Sequence, residues 1–299
     1  MKIVVSGGTG MIARALLSLA VEEGHEAFAL VRPDSSRLSA LPAGAKTLFC
    51  DLSDYHVFSP KERADVFFHL AWAKTSVAGR DDVAVQEKNI AYTLDAAALA
   101  ARMGCTCFVG AGSQAEYGRK SGEKLGSFTS ADPESGYGIA KYAAGKLSYL
   151  ACDKAGVRHC WTRILSVFGE HDAPTTLISY LRDCFARGET PQLTPCEQIW
   201  DYLYCKDAAR ALLAIGLSGK HGKTYPIGSG AGRRLSEYVE EMRDILAPGA
   251  PVAFGAKAYY PHQPMYMVAD LSELTSDTGF VPAYTFAQGI SAAYGADRR

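Results

Sequence analysis

A phenol and an ammonium group stand at a spacing that lets them act together, at Tyr137 and Lys141. Side chains four residues apart lie on one face of a helix and can contact each other. A tyrosine with its ordinary pKa of about 10 exchanges protons poorly at neutral pH unless a nearby cation stabilises the phenolate. The spacing therefore indicates an acid–base pair, and a solvated pair on a helix surface is the simpler alternative.

A serine hydroxyl follows an apolar stretch that has the composition of a buried strand. Residues 109–112 form this stretch, and Ser113 comes directly after it in a turn of small residues. Open parallel sheets bind their ligands at the carboxyl ends of the strands. Ser113 is therefore a candidate to meet a ligand, whereas alternation along the chain is expected to point Glu116 elsewhere.

A glycine-rich segment opens the first helical pattern. It reads Ser6-Gly7-Gly8-Thr9-Gly10-Met11-Ile12-Ala13 and follows an apolar run that is typical of a strand. Gly7 would permit a tight turn, Gly10 would let a pyrophosphate approach the backbone, and the helix N-terminus would supply N–H donors to that anion. This position between a strand and a helix predicts a dinucleotide site. The expected contacts are Gly7, Thr9, Gly10, Met11 and Ile12.

The end of the second predicted strand bears on the choice of dinucleotide. Sites for NAD have an acidic residue there to bind the adenine ribose, but this chain has Arg32 directly after Val31. A guanidinium group suits the 2'-phosphate of NADP, and Arg37 is a second candidate for that contact. NADP(H) is therefore the favoured cofactor, while NAD(H) remains an alternative because Asp34 could turn toward the ribose.

Short apolar runs alternate with longer helical patterns through the first half of the chain. Such alternation predicts an α/β fold, namely a Rossmann-type doubly wound parallel sheet whose strands are apolar because helices cover both faces. The predicted strands are residues 2–6, 26–31, 47–50, 66–70, 105–110 and 158–165. The predicted helices are residues 12–23, 83–103 and 137–154.

Prolines break the chain into shorter elements after about Phe168. This change predicts a smaller C-terminal substrate-binding lobe. Residues 1–168 are accordingly assigned to an NAD(P)-binding Rossmann domain and residues 169–299 mainly to the lobe. Whether some elements of the lobe return to the main sheet is left open.

Composition and charge exclude several classes of protein. The 299 residues are 48% hydrophobic and 21% charged, which is typical of a globular chain. A net charge of −1 provides no field that would attract nucleic acid. No run approaches the ~18 apolar residues of a membrane span, and the first residues do not resemble a signal peptide. We therefore expect a cytoplasmic protein with neither a nucleic-acid nor a membrane partner.

The eight cysteines do not form a metal-binding pattern. The closest pair is Cys105 and Cys107, and no C-x-x-C motif recurs. Zinc sites of proteins usually need such motifs. We expect reduced thiols and no metal.

The glycine-rich segment, Ser113 and the Tyr137–Lys141 pair together resemble the extended short-chain dehydrogenase/reductase family. The branch concerned is the NAD-dependent epimerase/dehydratase family, which acts on nucleotide sugars. The resemblance extends over nearly the whole chain. Its C-terminal segments are residues 163–169, 201–204 with Asp207, 225–230 and 279–282.

The resemblance implies a role for each of these residues. A hydride would pass between C4 of the nicotinamide and a carbon of the sugar, with Tyr137 as the acid or base. Lys141 would lower the pKa of Tyr137 and hold the nicotinamide ribose, so both residues would also contact the cofactor. Ser113 would hydrogen-bond the reacting oxygen. The further cofactor contacts implied are Asp51, Leu52, Leu70, Ala71, Lys74, Asn89 and Leu165.

Three departures from the family pattern bear on the reaction and the substrate. Nucleotide-sugar 4,6-dehydratases carry Thr-Asp-Glu where this chain has Ser113-Gln114-Ala115, so both carboxylates that dehydration needs are missing. Ser166 stands where an asparagine is usual. Trp200 replaces an arginine that contacts the substrate phosphate, so that contact must come from elsewhere. Ser113, Ser166 and Trp200 remain the candidate substrate contacts, with a packed core indole as the alternative for Trp200.

Three further residues and the subunit interface complete the expectations. His171 and Asp172 are candidates to line the substrate cleft, whereas His69 is expected to be a packed histidine. Family members often dimerise through two long helices, here residues 83–103 and 137–154. A homodimer is therefore expected.

The leading hypothesis is an NADPH-dependent oxidoreductase that reduces a keto group of a nucleotide-activated deoxysugar, similar to the nucleotide-4-keto-6-deoxysugar reductases. The first alternative is an NAD-dependent nucleotide-sugar 4-epimerase. A different carbonyl substrate, such as a small aldehyde, a ketone or a steroid, is also left open. An alternative from another class is a non-catalytic NADP-binding sensor.

Overall fold

A parallel sheet of seven strands carries the N-terminal half of the computed structural model, which describes residues 1–74 and 79–295. The strands are β1 (Lys2–Ser6), β2 (Glu26–Val31), β3 (Lys46–Phe49), β4 (Val66–His69), β5 (Cys107–Ser113), β6 (Arg158–Ile164), β7 (Ser166–Phe168), β8 (Ile199–Trp200), β9 (Tyr202–Tyr204), β10 (Lys223–Ile227), β11 (Arg233–Arg234) and β12 (Tyr266–Met267). The helices are α1 (Met11–Glu22), α2 (Val83–Arg102), α3 (Gly136–Lys154), α4 (Leu177–Arg187), α5 (Cys205–Ser218), α6 (Leu235–Leu246), α7 (Ser272–Thr278) and α8 (Phe286–Tyr294).

The strand order of the main sheet is β10-β6-β5-β4-β1-β2-β3, and every pair in it is parallel. The order reverses between β1 and β4, and such a reversal opens a crevice at the carboxyl ends of the strands. The predicted doubly wound α/β sheet is therefore confirmed. The question left open by the sequence is also answered, because β10 returns from beyond Phe168 to pair with β6. The division into two domains stays a prediction.

Helices cover both faces of this sheet. Ile3 and Val5 pack with α1 and α5, whereas Val4 between them packs with α2 and α3. Successive side chains of a strand point to opposite faces. The apolar strands read in the sequence are thus buried on both sides.

The fifth strand is longer than predicted, and this changes the setting of Ser113. β5 starts at Cys107 and continues to Ser113, because it pairs with β6 from Cys107↔Arg158 to Ser113↔Ile164. Ser113 is therefore the last residue of a strand. The fourth strand ends at His69, one residue earlier than predicted.

The remaining strands form two small sheets in the C-terminal half. β7 pairs with β9, and β11, β8 and β12 form the other sheet. The fully buried carboxylate of Asp201 joins these parts, because it accepts hydrogen bonds from the backbone N–H groups of Ser229, Gly230 and Ala269 at 2.7–3.0 Å. The Asp207 carboxylate similarly accepts from the N–H groups of Ala283 and Tyr284. These two carboxylates thus link separate backbone segments of the C-terminal half.

All eight cysteines are free and buried. Within residues 1–74 and 79–295, no cluster of three or more His, Cys, Asp or Glu side chains could hold a metal ion. No helix in the same part of the chain is long and apolar enough to cross a membrane.

Candidate active site

A cavity of about 1310 Å³ lies at the carboxyl ends of the parallel strands, between the main sheet and the C-terminal half. Its wall contains every predicted site residue except Asn89. These residues are Gly7, Thr9, Gly10, Met11, Ile12, Arg32, Asp51, Leu52, Leu70, Ala71, Lys74, Ser113, Tyr137, Lys141, Leu165, Ser166 and Trp200. His171 and Asp172 line it too, as predicted.

The glycine-rich turn is held tightly at one end of this cavity. Gly7 has a φ of +69°, and a Cβ there would lie 2.9 Å from the Cα of Ala71. Its N–H donates to the Leu30 carbonyl oxygen at 3.1 Å, and the Gly10 N–H donates to the Gly7 carbonyl oxygen at 2.9 Å. Gly10 is the N-cap of α1. The turn therefore brings the N-terminus of α1 into the cavity wall.

Two arginines line the cavity near the end of β2. Arg32 and Arg37 form this part of the wall together with Ser35. The Arg32 side chain is 59% exposed, and its Nε lies 3.9 Å from the nearer carboxylate oxygen of Asp34. Asp34 itself is not among the residues that line the cavity. The two arginines predicted to bind the cofactor phosphate after β2 thus line the cavity.

Asn89 is the one predicted cofactor contact that does not line the cavity. Its side chain is buried, accepts a hydrogen bond from the Ala73 N–H at 2.8 Å and donates to the Ala73 carbonyl oxygen at 3.1 Å. The oxygen and the nitrogen of the Asn89 amide are both hydrogen-bonded to the loop after β4. It supports the cavity wall from behind.

His69 is a packed histidine, as predicted. It is buried, and its two ring nitrogens hydrogen-bond the hydroxyls of Ser6 at 2.9 Å and Thr93 at 3.3 Å. Burial lowers the pKa of His69 to about 3. The ring is therefore neutral at physiological pH and is unsuited to proton transfer there.

Tyr137 lies in the first turn of α3, which begins at this point because the Ser135 hydroxyl caps it by accepting from the Gly138 N–H at 3.1 Å. Burial raises the pKa of the Tyr137 phenol, while the nearby Ser113 side chain and the charge of Arg80 act in the opposite direction. The phenol is consequently protonated at neutral pH. Ser113 and Tyr137 both line the cavity, and Ser113 is near enough to the phenol to affect its pKa.

Lys141 lies one helical turn beyond Tyr137 and is only 4% exposed. Its ammonium group donates to the Ala111 carbonyl oxygen at 2.6 Å. Burial lowers the pKa of Lys141 to about 7, although the negative charge of Glu116 acts to raise it. Its charge is thus sensitive to its surroundings near neutral pH.

Two neighbours of this pair, Trp72 and Arg80, are not indicated by the motifs. The Lys141 Nζ lies 3.7 Å from the centroid of the Trp72 ring, and the Arg80 Cζ lies 5.2 Å from that of Tyr137. Both belong to the segment between β4 and α2. Both follow Leu70 and Ala71, two expected cofactor contacts, in the sequence, and this closeness is the feature that could have indicated them.

Glu116 points away from the cavity, as predicted, and anchors the turn that bears Ser113. Its carboxylate is 1% exposed and accepts from the Ser113 N–H at 2.8 Å, the Trp161 indole N–H at 3.0 Å and the Arg163 guanidinium at 3.0 Å. Three donors from β5 and β6 converge on one carboxylate. The turn is therefore fixed from behind.

The two unusual residues Ser166 and Trp200 contact each other. The Trp200 indole N–H donates to the Ser166 hydroxyl oxygen at 2.8 Å. Both residues line the cavity on the side of the C-terminal half. Among the described residues between 166 and 235 that line it, none is lysine or arginine. This wall is therefore poor in positive charge.

Comparison with known proteins gives a family and a fold. The model of the NAD dependent epimerase/dehydratase family matches residues 3–228. A dTDP-glucose 4,6-dehydratase of Xanthomonas campestris pv. campestris (strain B100) is 28% identical over 180 residues, which cover 56% of this chain and 51% of the relative. The CDP-abequose synthase of Salmonella typhimurium is 28% identical over 134 residues, covering 43% of this chain and 44% of the synthase. The chain thus matches about half the length of these relatives.

A solved structure shares the fold from end to end. UDP-glucose 4-epimerase from Thermotoga maritima superimposes with a TM-score of 0.87 at 20% identity and covers 100% of this chain and 99% of its own. At this identity the likeness concerns the fold alone. It agrees with the predicted Rossmann-type architecture.

Proposed function

This chain belongs to the NAD dependent epimerase/dehydratase family, and from that membership we propose that it uses NADPH to reduce a keto group of a nucleotide-activated deoxysugar. One observation carries the proposal. A single cavity combines the glycine-rich turn, the arginines after β2 and the Ser113, Tyr137 and Lys141 side chains. The first two features suit a dinucleotide phosphate and the third suits proton transfer to a carbonyl oxygen.

The residues around the turn fit a dinucleotide. Only glycine fits at Gly7, because any Cβ would meet the Ala71 backbone. The N-terminus of α1 directs N–H groups and a partial positive charge into the cavity. Bound NADPH would supply the hydride. Lys141, which lines the same cavity, would hold the nicotinamide ribose.

The protein residues then handle the proton. Tyr137 is protonated because burial raises its pKa, so it can donate to the oxygen of the substrate as negative charge develops there. Ser113 hydrogen-bonds the same oxygen and orients the carbonyl group. The Lys141 ammonium stabilises the phenolate that remains on Tyr137.

The absence of side-chain carboxyls next to Ser113 argues against water elimination. Gln114 has an amide and Ala115 a methyl group. The nearest carboxylate in this turn, Glu116, is engaged by Trp161 and Arg163 away from the cavity. The turn therefore supports hydride and proton transfer without dehydration.

Cofactor preference gives a first test. We expect Arg32→Ala combined with Arg37→Ala to weaken NADPH binding about tenfold or more, because both lost partners could carry a charge-assisted hydrogen bond to the 2'-phosphate. The dissociation constant for NADH should barely change, and fluorescence titration measures both. Arg187→Ala, which removes an exposed guanidinium at the end of α4, serves as the control. Equal losses for NADPH and NADH would contradict the NADP preference.

The substrate class is tested by absorbance at the nicotinamide band. Keto-deoxysugars carried on CDP, dTDP, GDP or UDP are offered with NADPH, and one NADPH should be consumed for each product formed. The relative named CDP-abequose synthase makes the CDP-linked sugar the first to try. Lack of consumption with every nucleotide sugar, together with reduction of simple aldehydes or ketones, would overturn the nucleotide-sugar assignment.

A nucleotide-sugar 4-epimerase using NAD is the second candidate. The whole-length likeness to the Thermotoga maritima epimerase fold favours it. An epimerase would convert its substrate without net change in absorbance, so the same assay separates the two reactions. A non-catalytic NADP sensor would show no turnover at all. The presence of Ser113, Tyr137 and Lys141 in one cavity argues against that alternative.

We also propose a homodimer formed through α2 and α3. Ile139, Leu147 and Leu150 on α3 and Val83 on α2 are exposed apolar side chains, and burying such a surface favours association. Leu150→Asp is expected to halve the mass seen by light scattering. Leu217→Asp, which changes an exposed leucine at the end of α5, should leave the mass unchanged. A monomeric wild-type chain would contradict the proposal.

A further inference from the structure

The Trp72 indole contacts both residues of the acid–base pair. The Lys141 Nζ is 3.7 Å from the centroid of the indole, within the distance at which a cation is attracted to a ring face. The Trp72 ring also meets the Tyr137 ring edge-on, with centroids 5.9 Å apart and an angle of 86°. The distance from the Lys141 Nζ to the Tyr137 ring centroid is longer, at 5.7 Å. Trp72 is therefore the nearest aromatic neighbour of the ammonium group.

Helix α2 holds the indole in this position. The Trp72 Nε1–H donates to the Gln86 Oε1 at 3.1 Å, and the Gln86 Nε2 donates to the Gly79 carbonyl oxygen at 2.8 Å. Gln86 is 3% exposed. Asn89, one turn further along α2, holds the backbone of the next residue, Ala73. Hydrogen bonds from a buried helix face thus fix the loop that carries Trp72.

The surroundings of Lys141 make this contact important for its charge. Its charged and titratable neighbours are Glu116 behind β5, His69 at the end of β4, and Tyr137 with Arg80 beyond it. His69 is neutral, and the Glu116 carboxylate is already engaged by Arg163. The face of an aromatic ring carries negative electrostatic potential. The indole therefore stabilises the charge of the Lys141 ammonium group, and unlike Glu116 it is not paired with Arg163.

We propose that Trp72 is a positioning residue, which keeps the Lys141 ammonium group charged and fixed beside Tyr137. The inference rests on the proposed oxidoreductase function, because it concerns the same acid–base pair. Trp72 then determines the highest pH at which Lys141 can hold the nicotinamide ribose and support Tyr137. Above that pH the ammonium loses its proton, and both cofactor affinity and kcat fall.

The test compares Trp72→Leu and Trp72→Phe with the wild type. Leucine keeps an apolar side chain but removes the ring, whereas phenylalanine keeps a ring face and loses the N–H bond to Gln86. The dissociation constant for NADPH and kcat are measured from pH 5 to pH 9. In the leucine variant we expect the alkaline fall of both to begin about one pH unit lower, which is a tenfold loss at the upper end of the range. In the phenylalanine variant, the alkaline fall should begin close to its wild-type pH, because the ring face is retained.

The outcomes separate this inference from the proposed function. An alkaline limb that is unchanged in Trp72→Leu, in a variant that melts like the wild type, would overturn the role of Trp72. If the leucine variant does not fold, Trp72→Met, which also removes the ring, takes its place, and an unchanged alkaline limb in that variant would have the same meaning. The measurement of NADPH binding needs no sugar substrate. It therefore tests the role of Trp72 even if the protein reduces no ketone. Tyr260→Leu, which removes an exposed aromatic ring outside the cavity wall, should leave the limb at its wild-type pH.

Discussion

Replacing Tyr137 by phenylalanine is expected to lower kcat by about 10³-fold while NADPH binds almost as in the wild type. The substitution removes the hydroxyl that donates the proton, and a positioned acid contributes a factor of this order. The ring remains, so its edge-on contact with Trp72 and the face beneath Arg80 are kept. Single-turnover measurements of NADPH oxidation give the rate of reaction, and a fluorescence titration gives the dissociation constant for NADPH.

Tyr142→Phe is the matched control for this change. Tyr142 belongs to the same helix but does not line the cavity, so removal of its hydroxyl should leave kcat nearly unchanged. A Tyr137→Phe enzyme with close to normal turnover would show that another group supplies the proton. A loss of NADPH affinity as large as the loss of kcat would instead assign Tyr137 to binding.

Replacing Glu116 by alanine is expected to destabilise the protein by about 3–5 kcal/mol, as removal of one partner from a buried ion pair does. The Arg163 side chain is 7% exposed and would keep its charge with no carboxylate beside it. The Trp161 indole N–H and the Ser113 N–H would lose their acceptor at the same time. Urea unfolding followed by circular dichroism measures the free energy of unfolding.

A surface ion pair provides the control for the Glu116 prediction. Glu134 accepts two hydrogen bonds from Arg119, but both side chains are more than 40% exposed. Glu134→Ala should therefore cost no more than about 1 kcal/mol. A similar small cost for Glu116→Ala would mean that the buried carboxylate does not hold the turn. Where the variant folds, kcat should also fall, because Ser113 is no longer fixed.

The type of sheet could be read from the sequence, because a parallel sheet covered on both faces needs apolar strands that alternate with helices. The return of β10 could not, because periodicity does not reveal which strands pair. Residues 223–227 join β6 across more than 60 positions. The extension of β5 to Ser113 has the same origin, since pairing with β6 decides where the strand ends.

The residues of the site could be listed from motifs, but not their contacts. The motif position of Asn89 suggested the cofactor, whereas both its hydrogen bonds to Ala73 turn it toward the loop backbone. The contact of Trp72 with Lys141 joins two segments of the chain that only the fold brings together. The same is true of Ser166 and Trp200, two departures from the family pattern that become one hydrogen-bonded pair.

The buried thiols make the chain its own reporter of unfolding. Burial raises the pKa of Cys105, Cys152 and Cys205 to about 12, and a protonated thiol reacts slowly with alkylating reagents. A short pulse of iodoacetamide at each urea concentration would therefore label unfolded molecules, and mass spectrometry would count them without an introduced dye. Cys50 lines the cavity, but burial raises its pKa to about 11, so it too should label slowly in the folded protein. A long incubation with the reagent, in which a dinucleotide slows the labelling of Cys50 further, would report occupancy of the site.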